Sequence, residues 1–314
     1  MAVSPMKPWD VAVVGEIFAD HVFTGFPHWP RPGEEVVADG YVRELGGGSV
    51  NTACGLSRLG RRVRLVGLIG DADFDWFEHR LGEFGVGMGG IRLEGDGTGI
   101  TVSVSMRDDR TFFTYPGANR GLAELLGVPA VIADLAAARH VHFAMPLSRE
   151  LAEAILPVLR ASGCSISLDV GHSPGWLRDP ANVATIREID LFLPNAAEAA
   201  LLCGDASPEA YIAWALDNGL PRAVLKQGAQ GALVAAEGTL ASVPPPRIEV
   251  VDTTGAGDAF NAGLIDGWLD NEPPGRALER ACICGALCST AAGALAALPH
   301  SPQLRTLREQ TYRS

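Results

Sequence analysis

No run of lysines or arginines occurs anywhere in the chain. With 25 basic against 37 acidic residues the formal net charge is −12, and no nucleic-acid partner is expected. Any phosphate the protein handles must be held locally, by backbone N–H groups, Mg²⁺ and a few Lys or Arg. No Cys-x-x-Cys pair exists among Cys54, Cys164, Cys203, Cys282, Cys284 and Cys288, and no Cys/His cluster has zinc spacing. These six read as buried free thiols. Met1 to Trp9 has two prolines and no apolar core, so it does not read as a signal peptide, and a cytoplasmic protein is expected. Ala281 to Leu298 is uncharged, yet large apolar side chains stand only at Ile283, Leu287, Leu295 and Leu298. It reads as a buried, tightly packed helix and not as a membrane span. Internal repeats and low-complexity segments are absent.

What is present is a soluble composition, 47% apolar and 20% charged over 314 residues, long enough for one large α/β domain or two ordinary ones. Asp10 to Val14 reads as a buried parallel strand, with Asp20 and His21 just past its C-terminal end, where α/β sheets place ligands. Val36 to Leu45 alternates like an exposed strand and runs into Gly46-Gly47-Gly48-Ser49-Val50-Asn51, a glycine-rich helix entry. No Gly-Lys-Ser/Thr follows, so it is not a Walker A loop. Three glycines in a row suggest that something approaches the backbone closely. Val63 to Leu68 reads as a strand and Phe74 to Phe84 as a helix. Gly85, Gly87 and Gly90 match Gly-x-Gly-x-x-Gly but follow a helix, which is the wrong context for a dinucleotide. Residues 101–105 and 111–115 flank Arg107-Asp108-Asp109-Arg110 as a hairpin. From Val141 onward strands alternate with helices: 141–143, 150–159, 165–170, 190–193, 196–202 and 223–226. Gly171 to Gly175 matches Gly-x-Ser-x-Gly, but Pro174 has no N–H for an oxyanion, and Trp176 to Pro180 reads as a loop where a helix should follow.

The most informative stretch is Val251 to Phe260. Small residues Gly255 to Gly257 open a helix whose apolar positions are Ala256, Ala259, Phe260, Leu264 and Trp268. A helix start presents unpaired N–H groups and partial positive charge, and small residues let an anion approach. Asp258 beside such a cradle suits a base that takes a proton from an attacking hydroxyl, although a carboxylate in the first turn also suits a helix with no other purpose.

Asp252-Thr253-Thr254-Gly255-Ala256-Gly257-Asp258 resembles the signature of the ribokinase-like (PfkB-type) carbohydrate kinases. Gly47, Gly48 and Asn51, Gly117-Ala118-Asn119, Asn195-x-x-Glu198 and the Lys226 to Gly231 turn follow that family's order. The resemblance implies a three-layer α/β/α sandwich with a mostly parallel sheet, one domain over 1–314, and a small β lid with strands inserted at about 16–48 and 98–118. It implies transfer of the γ-phosphoryl of ATP to a hydroxymethyl group of a sugar or sugar-like substrate. Asp258 would be the base, and the amides of Gly255, Ala256 and Gly257 the anion hole. Asp20, Gly47, Gly48, Asn51 and Asn119 would hold the substrate. Lys226, Gly228 and Gly231 would contact ATP, and Asn195 and Glu198 would place Mg²⁺ through water. Activating K⁺ in the family points to Asp252 and Gly293. A homodimer through the lid, a nucleoside kinase and a non-catalytic sensor on the same fold are the alternatives the resemblance carries. Asp169 matches the start of an Asp-x-Asn-x-Arg pattern, with Gly171 and Ser173 in the other places. Phe18 and Gly48 stand where ribose-specific members carry a polar residue and a lysine, which counts against ribose.

Overall fold

The computed structural model describes residues 7–105, 110–236 and 238–312. Most of the Met1 to Trp9 segment, and Arg107 to Asp109 of the hairpin turn, lie outside them.

In chain order the strands are β1 (Trp9–Gly15), β2 (Phe18–Thr24), β3 (Gly40–Gly46), β4 (Val63–Gly70), β5 (Ile91–Glu94), β6 (Gly99–Ser105), β7 (Arg110–Tyr115), β8 (Ala138–Ala144), β9 (Ser165–Leu168), β10 (Leu191–Phe192), β11 (Arg222–Lys226), β12 (Ala232–Ala236) and β13 (Thr239–Val243). The helices are α1 (Gly48–Arg58), α2 (Phe74–Gly82), α3 (Leu122–Leu126), α4 (Pro129–Ala136), α5 (Arg149–Ala161), α6 (Pro174–Arg178), α7 (Val183–Arg187), α8 (Ala196–Cys203), α9 (Pro208–Asp217), α10 (Ala256–Leu269), α11 (Pro274–Cys288) and α12 (Ser301–Tyr312).

Six parallel strands form the central sheet in the order β10-β9-β8-β1-β4-β5. Its strands are mostly buried on both faces, because both faces are covered. On β1, Ala12 and Val14 enter one core with α4, α5 and α9, while Val11 and Val13 enter another with α1, α2 and α10. That is the expected three-layer sandwich. An antiparallel meander, β11-β12-β13, joins beside β10, where Lys226 N–H donates to the Pro194 carbonyl at 3.0 Å. A separate four-stranded sheet, β3-β2-β6-β7, forms the lid, with β2 and β6 parallel and the outer pairs antiparallel.

Several local readings change. Asp20 lies within lid strand β2 and not on a turn after β1, and the strand expected from Val36 begins at Gly40. Trp176 to Pro180, read as a loop, is largely helix α6, entered through Pro174 at its first turn. The hydrolase elbow still fails, because Pro174 has no N–H and the Ser173 hydroxyl donates to the Val170 carbonyl at 2.8 Å. The uncharged stretch 281–298 is helical only to Cys288, and turns follow. Among the described residues no helix is long and apolar enough to cross a membrane. Its small residues serve close packing: a Cβ on Gly263 would lie 2.7 Å from the Arg280 carbonyl oxygen, and one on Gly267 would lie 2.7 Å from Ala277 Cα. Helices α10 and α11 therefore meet nearly backbone to backbone. All six cysteines are free thiols, five of them buried.

Candidate active site

The site lies where the lid, the glycine loop 46–48 and the start of α10 meet. Gly255 is the N-cap of α10 with φ of +73°, a left-handed conformation that a side chain disfavours, and a Cβ there would overlap Ala294. Gly257 differs. It is exposed, and the nearest atom to a Cβ there would be Lys226 Nζ at 3.7 Å. Among the described residues no backbone carbonyl accepts from the N–H groups of Gly255, Gly257 or Asp258. The N–H of Ala256 donates to the Thr253 carbonyl at 3.2 Å. The cradle expected from Gly255, Ala256 and Gly257 is therefore corrected at its middle member, whose donor closes the turn that enters the helix.

Asp258, in the first turn of α10, faces the first turn of α1. Asn51 Nδ2 donates to Asp258 Oδ2 at 2.8 Å, and Thr52 Oγ1 donates to the Asp258 carbonyl oxygen at 3.3 Å. A Cβ on Gly48 would lie 3.1 Å from Asp258 Oδ1. Glycine at 48 thus leaves room for the carboxylate. Burial pushes the Asp258 carboxyl up from 3.8 to about 6, with Asp169 adding to the rise and the Asn51 hydrogen bond and Lys226 opposing it.

Asp20 projects from β2 beside Gly46, where any Cβ would overlap its carboxylate. Burial also raises Asp20 to about 6; a hydrogen bond from Thr101 opposes the rise and Glu44 reinforces it. Gly47 has φ of +99° and lies on the Glu16 carbonyl, to which Ser49 Oγ also donates at 2.6 Å. One short backbone segment, 46–48, thus has Asp20 at one end and Asp258 at the other. Asn119 is engaged elsewhere. Its Oδ1 accepts from Ile17 N–H at 3.0 Å and its Nδ2 donates to the Ile17 carbonyl at 2.9 Å. The amide fastens the link between β1 and the lid.

Asn195 and Glu198 bond each other. Asn195 Oδ1 accepts from Glu198 N–H at 2.9 Å, and Glu198 Oε2 accepts from Asn195 N–H at 2.8 Å, a reciprocal cap that starts α8. Among the described residues no group of three or more His, Cys, Asp or Glu could hold a metal ion by itself. An ion held by one or two carboxylates together with ATP phosphates needs no such group. Asp252 Oδ1 accepts from the Thr254 N–H at 2.9 Å and its hydroxyl at 2.7 Å, and Oδ2 accepts from Gly293 N–H at 2.8 Å. The Gly293 N–H thus ties the turn after α11 to Asp252 at the start of the signature. Gly228 (φ +56°) and Gly231 (φ +86°) shape the tight turn from β11 to β12.

Lys226 is only 12% exposed at its side chain, and not a solvated strand-end charge. Its ammonium donates to Asp169 Oδ2 at 2.6 Å, Asn261 Nδ2 donates to the same oxygen at 2.6 Å, and Gly171 N–H donates to Asp169 Oδ1 at 2.9 Å. This hub ties β9, β11 and α10 together beneath the cradle. A separate buried ladder crosses β8 and β9: Trp268 Nε1 donates to Ser165 Oγ, which bonds His140, then Ser167, then His142. Sequence reasoning missed Asn261 and the ladder. Their signal was available as polar residues at every second place in otherwise apolar strands, and one asparagine three residues after Asp258.

A family model for pfkB family carbohydrate kinases matches residues 9–301. A fructokinase of Klebsiella pneumoniae is 30% identical over 292 residues, covering 86% of this chain and 95% of its own length. A 2-dehydro-3-deoxygluconokinase of Bacillus subtilis is 31% identical over 281 residues, covering 84% of this chain and 86% of its own. A solved protein described as a ribokinase II of E. coli, in complex with ATP and Mg²⁺, superposes with a TM-score of 0.82 at 25% identity, covering 96% and 99% of the two chains.

Proposed function

Because the chain belongs to the pfkB family of carbohydrate kinases, we propose that it moves the γ-phosphoryl of ATP to a hydroxymethyl group of a sugar or sugar-like substrate, with Asp258 as the base. A carbohydrate kinase with ATP as co-substrate is the activity the relatives carry. In this reading the chain works as one α/β unit with lid strands inserted at about 16–48 and 98–118, in the cytoplasm.

The observation that supports the base most is the state of Asp258: its carboxyl group is pinned by Asn51 at 2.8 Å and raised to about 6 beside an open glycine helix start. At neutral pH it is mostly ionised, yet close enough to pH 7 to take a proton well. The acceptor hydroxyl gives its proton to Asp258 as its oxygen bonds to the γ-phosphorus. The bond from that phosphorus to the ADP oxygen breaks, and the electron pair leaves with ADP. The free amides of Gly255 and Gly257 receive the charge on the transferring group. Lys226, Gly228 and Gly231 lie on the ATP side, and Asp20, Gly47, Gly48 and Asn51 on the sugar side. Glu198 would hold Mg²⁺ through water, and the ion would supply charge neutralisation for the phosphates when bound. The lid excludes water so that ATP is not hydrolysed.

Asp258→Asn keeps the shape and the Asn51 contact but removes the base. It should bind ATP as before and lose roughly 10²–10⁴-fold in turnover. Acceptor-dependent ADP release near the wild-type rate would remove Asp258 from this role, and ATP binding without acceptor-dependent release in the wild type would point to a sensor instead.

A further inference from the structure

Four polar side chains line β8 and β9 on the face that α10 covers. His140 and His142 stand opposite Ser165 and Ser167, and Trp268 of α10 completes the buried ladder. Hydrogen count gives this ladder a direction. Burial keeps both rings neutral, pushing His140 well below 6.5 and His142 down to about 4. A neutral imidazole has one N–H and one bare nitrogen, a hydroxyl has one hydrogen, and an indole N–H only donates. Ser165 accepts from Trp268 and donates to His140 Nδ1. His140 then donates from Nε2 to Ser167, and Ser167 donates to His142 Nδ1. Only the Nε2–H of His142 is left over. Every other assignment that makes the same bonds strands a serine hydrogen as well.

That nitrogen is buried, in a residue 0% exposed, and has no hydrogen-bond partner among the described residues. An N–H in this state costs about 1–3 kcal/mol. The charges acting on the ring are those of Asp169 and Lys226, the hub beneath the cradle. Asp169 continues the row of Ser165 and Ser167, and its N–H donates to the Phe143 carbonyl at 2.9 Å, one row beyond His142. On β8 that next row holds Ala144, whose methyl group fills little of the space between them. Two acceptors of the hub have capacity left. Among the described residues Asp169 Oδ1 accepts only from Gly171 N–H, and Asn261 Oδ1 accepts only a long contact of 3.5 Å from Lys226.

Resting on the kinase reading above, we propose that His142 is a positioning residue: its Nε2–H donates to one buried water, which donates in turn to Asp169 and Asn261 and so joins the ladder to the hub. Three polar partners are what a buried water ordinarily has. Asp169 and Asn261 hold Lys226 and α10, and Asp258 stands three residues before Asn261 on that helix. A hub braced at one more point keeps the base and the free amides in place, where a shift of 1 Å can cost about 100-fold in rate.

The tautomers are read in the wild type by NMR of the imidazole nitrogens. Both His140 and His142 should carry hydrogen on Nε2 at neutral pH, and the His142 Nε2–H should exchange slowly with solvent. A crystal structure that resolves waters should place one about 3 Å from His142 Nε2. Hydrogen on Nδ1 of either ring, or no water at that place, overturns the site. Two variants then separate position from packing. His142→Gln keeps an acceptor for Ser167 and an N–H for the water, and its kcat should stay within about twofold of wild type. His142→Phe keeps the bulk and loses the N–H, so kcat should fall about tenfold while KM for ATP stays within about twofold. Wild-type kcat in His142→Phe, or an equal loss in both variants, overturns the positioning role. If His142→Phe fails to fold, the tautomers, the water and His142→Gln decide. A wild type with both tautomers and the water, but no ADP release with any acceptor, overturns the kinase reading and leaves the water site standing.

Discussion

Two glycines two positions apart do different physical work in the signature. Gly255 is required by the backbone, with φ of +73° and Ala294 against it. Gly257 has open space and gains nothing for the fold. Gly255→Ala should therefore lower stability by more than about 2 kcal/mol in chemical denaturation. Gly257→Ala should leave stability unchanged or raise it by up to about 1 kcal/mol, as alanine favours a helix, while cutting turnover at least tenfold by holding the phosphate off the amides. Equal stability losses in the two variants would contradict this division. Asp258 makes a second residue-scale prediction. Its folded-state value of about 6 lies above the ordinary 3.8, so its contribution to stability is present below pH 3.8 and lost as pH rises through 6. Asp258→Asn should accordingly be more stable than wild type at pH 8, by on the order of 1–3 kcal/mol, with the difference vanishing near pH 4. A melting-temperature difference that does not change with pH would show that the carboxylate is not strained by burial. Activity runs the opposite way, rising with pH through about 6.

Helix α10 is the element on which these residues depend. It is pinned to the sheet by Asn261 on Asp169 and by Trp268 on Ser165, and to α11 by Gly263 and Gly267. Its Asp266 also pairs with Arg61 and Arg280 at the buried end. A side chain inserted between α10 and α11 cannot be absorbed by a flexible neighbour, because backbone atoms lie within 3 Å of the added Cβ. Gly263→Val should cost roughly 3 kcal/mol or more and lower turnover in the surviving folded fraction, since α10 carries the base. A melting temperature within a degree of wild type would mean that the helices separate freely. The buried Lys226–Asp169 pair, from the ends of β11 and β9, anchors this helix through Asn261. Lys226→Met leaves Asp169 buried without its counter-charge, a loss of about 3–5 kcal/mol.

Across the whole molecule the lid stands out. Tyr41 and Val42 on β3 and Phe112, Phe113 and Tyr115 on β7 are exposed, with Trp29 stacked against Phe113. Both are edge strands of a four-stranded sheet, and exposed apolar patches of this kind mark interaction surfaces. A homodimer through the lid is expected in sedimentation analysis, insensitive to salt because its contacts are apolar. Phe113→Asp should shift it to monomer, and a wild type that sediments as a monomer at all concentrations would exclude the lid dimer.

The alternation of apolar strands and helices, and the single signature around Asp258, were legible in the residues. Local chemistry writes them: period, glycine and a helix start are properties of consecutive positions. The lid was legible as a hairpin and a strand, but β2 was not, because its mixed residues alternate only once the partner strands are known. The substrate contact of Asn119, the metal role of Asn195 and the free amide of Ala256 were what the family resemblance implied, and a matched motif does not say which hydrogen bond each group has already made. Tertiary structure alone decided that Asn51, two hundred residues away in the chain, holds Asp258, that Asp169 captures Lys226, and that Asn51 keeps one oxygen in want of a donor. Such pairings depend on which helix ends and strand ends the packing of two cores brings together, and no window of sequence contains both partners.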